Sequence, residues 1–223
     1  MTTPSRTQLD QTGERIRDGS ATADDWAVLK AYRLSVRDAV APLFDGVRLI
    51  ASEENIPITA RLKTNYSIEL KLRRETIRLR QIDDIMGCRI LVSSRVEQDR
   101  IAERVASLGP SKLRDRRERP SHGYRALHVI LGSNGQFLEV QIRTPLQDAW
   151  AQLSEALSVK YGIEVKYGGL RGTPLRVALD SLSMSIDAAE RGKPPTSDER
   201  FSFLPITEEA THDALVELRN LFL

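Results

Sequence analysis

The segment from Arg61 to Val92 constrains this chain more than any other, because it combines a cationic strand, a basic helix and a pair of carboxylates. Polar and apolar residues alternate over 56–63, as they do in a half-buried strand. Side chains two residues apart in a strand point to the same face, so Arg61 and Lys63 share one face. The sequence therefore predicts a strand that presents two cations together.

A helix is predicted directly after this strand. A turn at 64–65 comes first, and the cationic and hydroxyl side chains that follow recur at helical spacing: Ser67, Lys71, Arg74 and Arg78. The first turn of a helix offers free N–H groups and the positive end of the helix dipole, which favour a polyphosphate. We therefore expect the strand cations and the start of this helix to converge on one phosphate-binding volume.

Asp83 and Asp84 follow the basic helix and precede an apolar strand over 85–92. A carboxylate at a strand end, opposite a phosphate-binding volume, suits a Mg²⁺ ion that bridges protein and nucleotide. Basic helix faces are usually solvated surface, and two adjacent aspartates often mark a simple turn. The order of these features, more than any one of them, indicates a nucleotide site.

The order R-x-K-x₃-S-x₃-K, then D-I-x-G-x-R, resembles the synthetase domain of the RelA/SpoT family of alarmone synthetases. Two later stretches match the family in the expected order. Residues 123–128, GYRALH, are similar to GYxSLH, and residues 139–144, EVQIRT, are similar to E-[VI]-Q-I-R-T. The resemblance covers roughly Trp26 to Lys166. With 223 residues, the chain resembles the small, single-domain synthetases, and its three histidines form no hydrolase-type metal cluster in the sequence.

The resemblance implies transfer of the β,γ-pyrophosphate of ATP to the 3′-hydroxyl of GDP or GTP, with Mg²⁺ as cofactor. It implies five ATP-binding residues, two of which are arginines suited to stacking on adenine: Arg61, Lys63, Ser67, Lys71 and Arg89. It implies two catalytic residues that also bind the metal: Asp84 and Glu139. It implies four acceptor-binding residues, the first of which stacks on guanine: Tyr124, His128, Gln141 and Arg143.

The sequence departs from the family just before the GYxSLH-like stretch. The family usually has a segment like DYIxxPKxNGY there, whereas residues 115–124 are one residue shorter and lack the Tyr-Ile and the lysine. His122 stands where asparagine is common. These differences concern the acceptor, so a second hypothesis is a toxic small synthetase that modifies the 3′ end of tRNA or adenosine nucleotides. The arginines of 111–122 would suit RNA phosphates.

A third hypothesis is a catalytically inactive module that binds nucleotide or RNA. The presence of both carboxylates, Asp84 and Glu139, argues against it, because a protein that only binds would need neither. ATP and GDP or GTP are therefore the expected substrates, tRNA is the alternative acceptor, and an antitoxin protein and a second copy of the chain are the other partners considered.

The remaining pattern predicts an α+β fold, with a mixed, largely antiparallel central sheet flanked by helices in a nucleotidyltransferase-like synthetase domain. The predicted organisation is a frayed N-terminus over 1–20, a synthetase core over 21–170 and C-terminal helices over 171–223. Strands are predicted at 124–131 and 136–142, joined by a Gly-Ser-Asn-Gly turn. The predicted helices run from Thr22 to about 44, with Pro42 kinking or dividing the helix, and over 47–54, 96–108, 145–161, 174–190 and 207–220.

Charge and cysteine content limit the other function classes. The net charge is only +2, so the positive charge is local to the segments described above rather than spread over the whole surface. The single cysteine, Cys88, excludes an internal disulfide and is expected to pack in a core strand. The N-terminus has no apolar targeting segment, and nothing resembles a membrane span. We therefore expect a cytoplasmic protein with no membrane partner.

Overall fold

The structure is a computed structural model that describes residues 4–169 and 171–192. Six α-helices lie in these residues: α1 (Arg6–Asp18), α2 (Ala23–Glu53), α3 (Asn65–Arg74), α4 (Arg95–Ala106), α5 (Pro145–Tyr161) and α6 (Pro174–Glu190). The strands are β1 (Ile58–Leu62), β2 (Met86–Leu91), β3 (Ser111–Asp115), β4 (Leu127–Ser133) and β5 (Gln136–Arg143). Two short 3₁₀ helices cover Leu79–Gln81 and Ile163–Tyr167. The helix predicted over 207–220 lies outside the described residues.

The five strands form one sheet in the order β1-β2-β5-β4-β3. β1 and β2 are antiparallel. β5 and β2 run in the same direction, because Gly87 lies beside Glu139 and the amide of Val92 donates to the carbonyl of Arg143. β4 and β5 form the predicted hairpin, and its two-residue turn has positive φ at Asn134 (50°) and Gly135 (76°), as the favoured hairpin turns require. The α+β class with a mixed, largely antiparallel sheet is confirmed.

The described residues divide into two compact units. The first comprises 4–90, 100–114 and 128–142, and the second comprises 91–99, 115–127, 143–169 and 171–192. In the first unit, α2 buries a stripe of residues spaced three or four apart: Leu29, Tyr32, Val36 and Val40. In the second unit, α5 and α6 share an apolar core: Trp150, Leu153, Leu157, Val165, Leu179, Leu182 and Ile186.

The prediction of a frayed N-terminus is wrong for α1. Ser5 caps this helix through a reciprocal pair of hydrogen bonds with Gln8, and Leu9 and Ile16, two turns apart, are buried. Gly13 lies on the same face, where an added Cβ would come within 2.9 Å of the Leu79 side chain. The segment contains too few apolar residues to show a helical period, and its helix depends on this close packing.

Pro42 does not divide the long helix, since α2 is continuous from Ala23 to Glu53 with Pro42 inside it. A proline in a helix removes one backbone hydrogen bond, which costs about 3 kcal/mol. The buried apolar stripe on either side of Pro42, which includes Val40 and Val47, offsets that cost. Across the described residues, none of the helices has both the length and the apolar character needed to cross a membrane.

The strand predicted at 124–131 begins later than expected, at Leu127. His122 (φ 53°) and Gly123 (φ 84°) adopt left-handed conformations and turn the chain, and Tyr124 forms an isolated β-bridge with Ser121. A strand over 124–131 would have placed Tyr124 and His128 on one face, but Tyr124 lies before β4 and does not share a strand face with His128. The first five residues of the charged segment of 111–122 form the edge strand β3.

Candidate active site

The junction between β1 and α3 places three of the predicted ATP-binding residues. Thr64 caps α3, and its hydroxyl oxygen accepts a hydrogen bond from the amide of Ser67 (3.1 Å). Ser67 is thus in the first turn of the helix, as predicted, and its Oγ lies 2.9 Å from Oγ1 of Thr64. Lys63 precedes the cap, and Lys71 lies one turn beyond Ser67. The helix start and the two lysines therefore occur together in the first unit, whereas Arg78, which the sequence predicts in the same helix, lies beyond the end of α3.

Lys63 and Lys71 converge on one carboxylate. Nζ of Lys63 lies 2.8 Å from Oδ2 of Asp84, and Nζ of Lys71 lies 3.0 Å from Oδ1. Lys71 also lies 3.6 Å from Asp83. Burial opposes the ionisation of Asp84, but the two ammonium groups outweigh burial and hold the pKa of Asp84 below its usual value. Burial likewise disfavours charge on Lys71, yet the aspartates raise its pKa, so both sides of the pair stay charged.

Glu139 is the centre of a second group in the same unit. Its Oε1 lies 3.0 Å from Nδ1 of His128, and its Oε2 accepts a hydrogen bond of 2.7 Å from Nε2 of Gln141. Burial alone would raise the pKa of Glu139, but the hydrogen bond and charge of His128, the bond from Gln141 and the charge of Lys63 lower it to about 2. Glu139 is therefore an ionised carboxylate at neutral pH with only 8% of its surface exposed.

The remaining first-unit residues lie on the face of the sheet that carries Glu139. Arg61 is opposite Gly87 in the β1–β2 register, and Arg89 is opposite Thr59, so both arginines share the face of Gly87. A Cβ on Gly87 would lie 3.0 Å from the carbonyl oxygen of Glu139 and 3.8 Å from its Cβ. The absence of a side chain at Gly87 thus keeps this face open between the arginines and the carboxylate.

Tyr124 and Arg143 form a separate cluster in the second unit. Nη2 and Nε of Arg143 donate to the hydroxyl oxygen of Tyr124 over 2.9 and 3.2 Å, and the guanidinium lies 5.0 Å from the ring centroid. Arg143 is buried and also pairs with Asp148 at 2.8 Å. Burial disfavours the charge of Arg143, but Tyr124 and Asp148 outweigh it and raise the pKa of this arginine. Arg143 therefore holds the Tyr124 side chain in place through contacts with both its hydroxyl and its ring.

Two contacts at this site have no local signal in the sequence. Arg33, on α2, donates through Nη1 to Oδ1 of Asn65, the first residue of α3, over 2.8 Å. Arg114, on β3, forms an ion pair with Asp83, beside Asp84. In each contact the two residues are distant in the chain. The heptad-like spacing of buried residues in α2 and the edge position of β3 are the only signals that could have suggested that these arginines face inward.

The carboxylates fit a Mg²⁺ ion that is bound jointly with nucleotide phosphates. Among the described residues, no group of three or more His, Cys, Asp or Glu side chains is gathered as a protein-only metal centre. Mg²⁺ is usually held by one or two carboxylates together with substrate phosphates and water. Asp84 and Glu139 match that donor set, since both are ionised and the charge of Glu139 acts on the pKa of Asp84.

Comparison with known proteins places this site in context. Residues 60–165 match the family model described as a region found in RelA / SpoT proteins. The chain is 34% identical over 163 residues to an uncharacterized protein of Mycobacterium tuberculosis, an alignment that covers 70% of this chain and 59% of that protein. It is 29% identical over 153 residues to GTP pyrophosphokinase YjbM of Bacillus subtilis, which covers 60% of this chain and 72% of the relative. The chain thus spans less than two thirds of the mycobacterial relative.

The fold is similar to that of small alarmone synthetase 1 from Bacillus subtilis, solved bound to its product pppGpp. The TM-score is 0.58 at 23% sequence identity, and the match covers 74% of this chain and 93% of the other. Small alarmone synthetase 2 from the same organism gives a TM-score of 0.59 at 24% identity, covering 74% of this chain and 95% of the other. These TM-scores show that the folds are similar.

Proposed function

Since the chain belongs to the RelA/SpoT family through its residues 60–165, we propose that it is a pyrophosphokinase that transfers the β,γ-pyrophosphate of ATP to the 3′-hydroxyl of GDP or GTP. The observation that carries this proposal is the convergence of Lys63 and Lys71 on Asp84, with ionised Glu139 in the same unit. The relative YjbM is named a GTP pyrophosphokinase, which supports the same class of reaction.

The two lysines are suited to the triphosphate of the donor. Each ammonium group has three N–H donors, and Asp84 accepts one from Lys63 and one from Lys71. The other donors remain to bind phosphate oxygens, together with the hydroxyl of Ser67 and the N–H groups of the first turn of α3. Arg61 and Arg89, on one sheet face, are proposed to stack on the adenine ring, a role that planar guanidinium groups suit.

Asp84 and Glu139 are proposed to hold Mg²⁺, which would neutralise charge that develops on the phosphates during transfer. Glu139 would also accept a hydrogen bond from the attacking 3′-hydroxyl. Because its pKa is about 2, Glu139 is always ionised at neutral pH but weakly basic. Its contribution as a base is therefore expected at the lower end of the usual range, about 10²-fold.

The structure bears on the alternative acceptor, the 3′ end of tRNA, through the arginines of 111–122. Arg117 is buried and pairs with Asp99 at 2.6 Å and with Asp115 at 2.7 Å, and Arg114 pairs with Asp83. Arginines held by carboxylates of their own chain are poorly placed to neutralise RNA phosphates. We therefore favour the guanosine nucleotide.

The histidine at position 122, where the family usually has asparagine, is less of an argument against a guanosine acceptor than the sequence suggests. His122 has a left-handed backbone conformation, with φ of 53°. Asparagine and histidine are both enriched in that conformation. A histidine can therefore make the same turn as the usual asparagine before Gly123, which supports a similar placement of the ring that follows.

The proposal is tested by incubating the protein with Mg²⁺ and γ-³²P-ATP and, separately, GDP, GTP, ATP and bulk tRNA. We expect label on GDP or GTP and AMP as the co-product, because AMP distinguishes transfer of pyrophosphate from transfer of one phosphate. Glu139→Gln should give no label, and Glu103→Gln, an exposed position in the same unit, should behave as wild type. Label on tRNA alone would favour the alternative acceptor, and no label on any acceptor would contradict the proposal.

A further inference from the structure

Helix α6 holds the turn that precedes Tyr124. Nη2 of Arg176 donates to the carbonyl oxygen of His122 over 2.7 Å, and Oγ of Ser183 donates to the carbonyl oxygen of Gly123 over 2.6 Å. These are the two peptide carbonyls immediately before Tyr124. Arg176 and Ser183 are buried, and α6 lies beyond the residues that match the family model. The family resemblance therefore gives these two residues no role.

The turn that they hold would be costly without partners. His122 and Gly123 are both left-handed, a conformation that disfavours a residue with a Cβ, such as His122. The turn is also tightly packed, since a Cβ at Gly123 would lie 2.7 Å from Cζ2 of Trp150. The two hydrogen bonds to these carbonyls are partly buried, and a carbonyl shielded from water is destabilised when it has no hydrogen-bond partner. The donors on α6 thus stabilise one specific conformation of this turn.

The same helix is attached on the far side of Tyr124 as well. Nε of Arg125 donates to Oγ of Ser183 over 3.0 Å and to the Ser183 carbonyl over 3.2 Å. Nη1 of Arg125 lies 3.4 Å from Oδ1 of Asp187, one turn further along α6. The backbone segments before and after Tyr124 are therefore both fixed to a single helix.

The ring of Tyr124 is supported from the same unit. It lies 6.5 Å from the ring of Trp150 at an interplanar angle of 48°, and its hydroxyl accepts hydrogen bonds from Arg143. Nε1 of Trp150 in turn donates to the carbonyl of Leu179 on α6 over 3.0 Å. Both the backbone and the packing partner of Tyr124 therefore depend on the position of α6.

We propose that α6 is a positioning element of the acceptor site, in which Ser183 and Arg176 act through the His122–Gly123 turn to orient the Tyr124 ring for stacking on the acceptor base. The inference rests on the proposed function, because it assigns the acceptor base to Tyr124. It predicts that loss of one of these hydrogen bonds weakens acceptor binding while ATP binding, which involves residues of the first unit, is unchanged.

The decisive variant is Ser183→Ala, since it removes one hydroxyl and leaves the apolar core of α5 and α6 intact. The Ser183 hydroxyl makes two hydrogen bonds, to the Gly123 carbonyl and from Nε of Arg125, and loss of either one is enough to change an equilibrium about two- to tenfold. We expect the Kd and KM for GDP to rise by that factor, with the KM for ATP unchanged. Ser185→Ala is the matched control, because its hydroxyl donates to the Ser181 carbonyl of the same helix and lies on its exposed side. Arg176→Lys keeps the cation and is expected to retain more GDP affinity than Arg176→Gln.

A double-mutant cycle separates positioning from general stability. In the Tyr124→Ala background, Ser183→Ala should cause no further loss of GDP affinity, because the ring through which it acts is gone. Equilibrium binding of GDP and ATP and thermal unfolding are measured for wild type, both single variants, the double variant and Ser185→Ala. A Ser183→Ala protein that binds GDP as wild type does, or that loses GDP and ATP binding equally, overturns the inference alone. A wild-type protein that binds neither GDP nor GTP overturns the proposed function, and the inference with it.

Discussion

Nζ of Lys63, at the end of β1, lies 2.8 Å from Oδ2 of Asp84, in the turn that leads into β2. Lys71 binds the other oxygen of the same carboxylate, so one aspartate is shared by a strand cation and a helix cation. Only 10% of the Lys63 side chain is exposed. A buried cation is stable only when it is paired. Asp84 therefore pairs with both lysines and holds them together, in addition to its proposed role toward Mg²⁺.

Asp84→Asn is expected to abolish the Mg²⁺-dependent transfer. The variant loses a proposed metal donor and leaves Lys63 and Lys71 without their common counter-ion, so the loss should be at least about 10²-fold, comparable to removal of a single electrostatic catalytic group. Initial rates measured against Mg²⁺ concentration check this. Asp83→Asn is the control, because Asp83 lies beside Asp84 but pairs chiefly with Arg114. A variant at Asp84 with the same Mg²⁺ dependence as wild type would exclude the assignment.

Glu139→Gln is expected to bind ATP nearly as wild type does and to lose transfer. The substitution keeps the shape of the side chain and removes the charge through which Glu139 is proposed to act on the metal and the acceptor hydroxyl. Single-turnover rates and ATP affinity are the two measurements. A variant that retains more than about a tenth of the wild-type rate would contradict the role, since even a modest general base contributes about 10²-fold.

Lys63→Ala and Lys71→Ala are each expected to raise the KM for ATP, because each removes a cation from the phosphate-binding volume. Arg61→Ala should also weaken ATP use and reduce the preference for adenine over other bases, since its proposed contact is with the ring. Competition among ATP and other nucleoside triphosphates measures both effects. Lys30→Ala, at an exposed position on α2, should change neither. Full activity of Lys71→Ala would be incompatible with the proposed donor site.

Arg116→Ala combined with Arg119→Ala is expected to leave labelling of GDP or GTP nearly unchanged, with weak salt dependence. A free nucleotide carries no backbone beyond its own phosphates, whereas tRNA would need these cations. Arg117 is left intact because burial of its ion pairs with Asp99 and Asp115 makes it part of the fold. Activity is measured over a range of salt concentrations. A large loss together with a steep salt dependence in the wild type would favour tRNA as the acceptor.

Asp25→Asn is expected to destabilise the protein at neutral pH and to flatten the acid dependence of its stability. The hydrogen bond from Arg15 is the main cause that lowers the pKa of Asp25, and the backbone of Thr22 adds to it. A carboxyl with a depressed pKa stabilises the fold above its unfolded pKa of about 4, and that contribution is lost as pH falls toward the folded value. Urea unfolding at pH 7, 4 and 3 measures it. The expected loss at pH 7 is about 1–3 kcal/mol.

Equal pH dependence of Asp25→Asn and wild type would show that Asp25 is not held ionised by α1. Asp24→Asn serves as the control, since Asp24 is an exposed neighbour in the first turn of the same helix. The measurement also tests whether α1 is a structural part of the first unit, because Arg15 belongs to α1 and Asp25 to α2.

Local sequence information determined the parts of this protein whose interactions are close in the chain. The strand before Lys63 and the turn at Asn134 and Gly135 depend on backbone preferences of a few neighbouring residues, and both are present in the structure where the sequence predicts them. The hydrogen bond between Glu139 and Gln141 follows in the same way, because residues two apart on a strand share a face. The helix that the sequence predicts over 174–190 has the same bounds as α6, Pro174–Glu190.

Only the tertiary structure decided which distant groups meet. Because of the left-handed turn at His122, Tyr124 lies before β4 and not in it. Ser183, whose hydroxyl donates to the carbonyl of Gly123 in this turn, lies 60 residues further along the chain. The burial of Arg117 likewise depends on Asp99, from another element. Periodicity and capping describe interactions between neighbouring residues of one turn or strand. The contacts of Ser183 and Arg117 depend instead on the free energy of burying a polar group, which is unfavourable unless the group has a hydrogen-bond partner. That free energy depends on which surfaces the folded chain brings together.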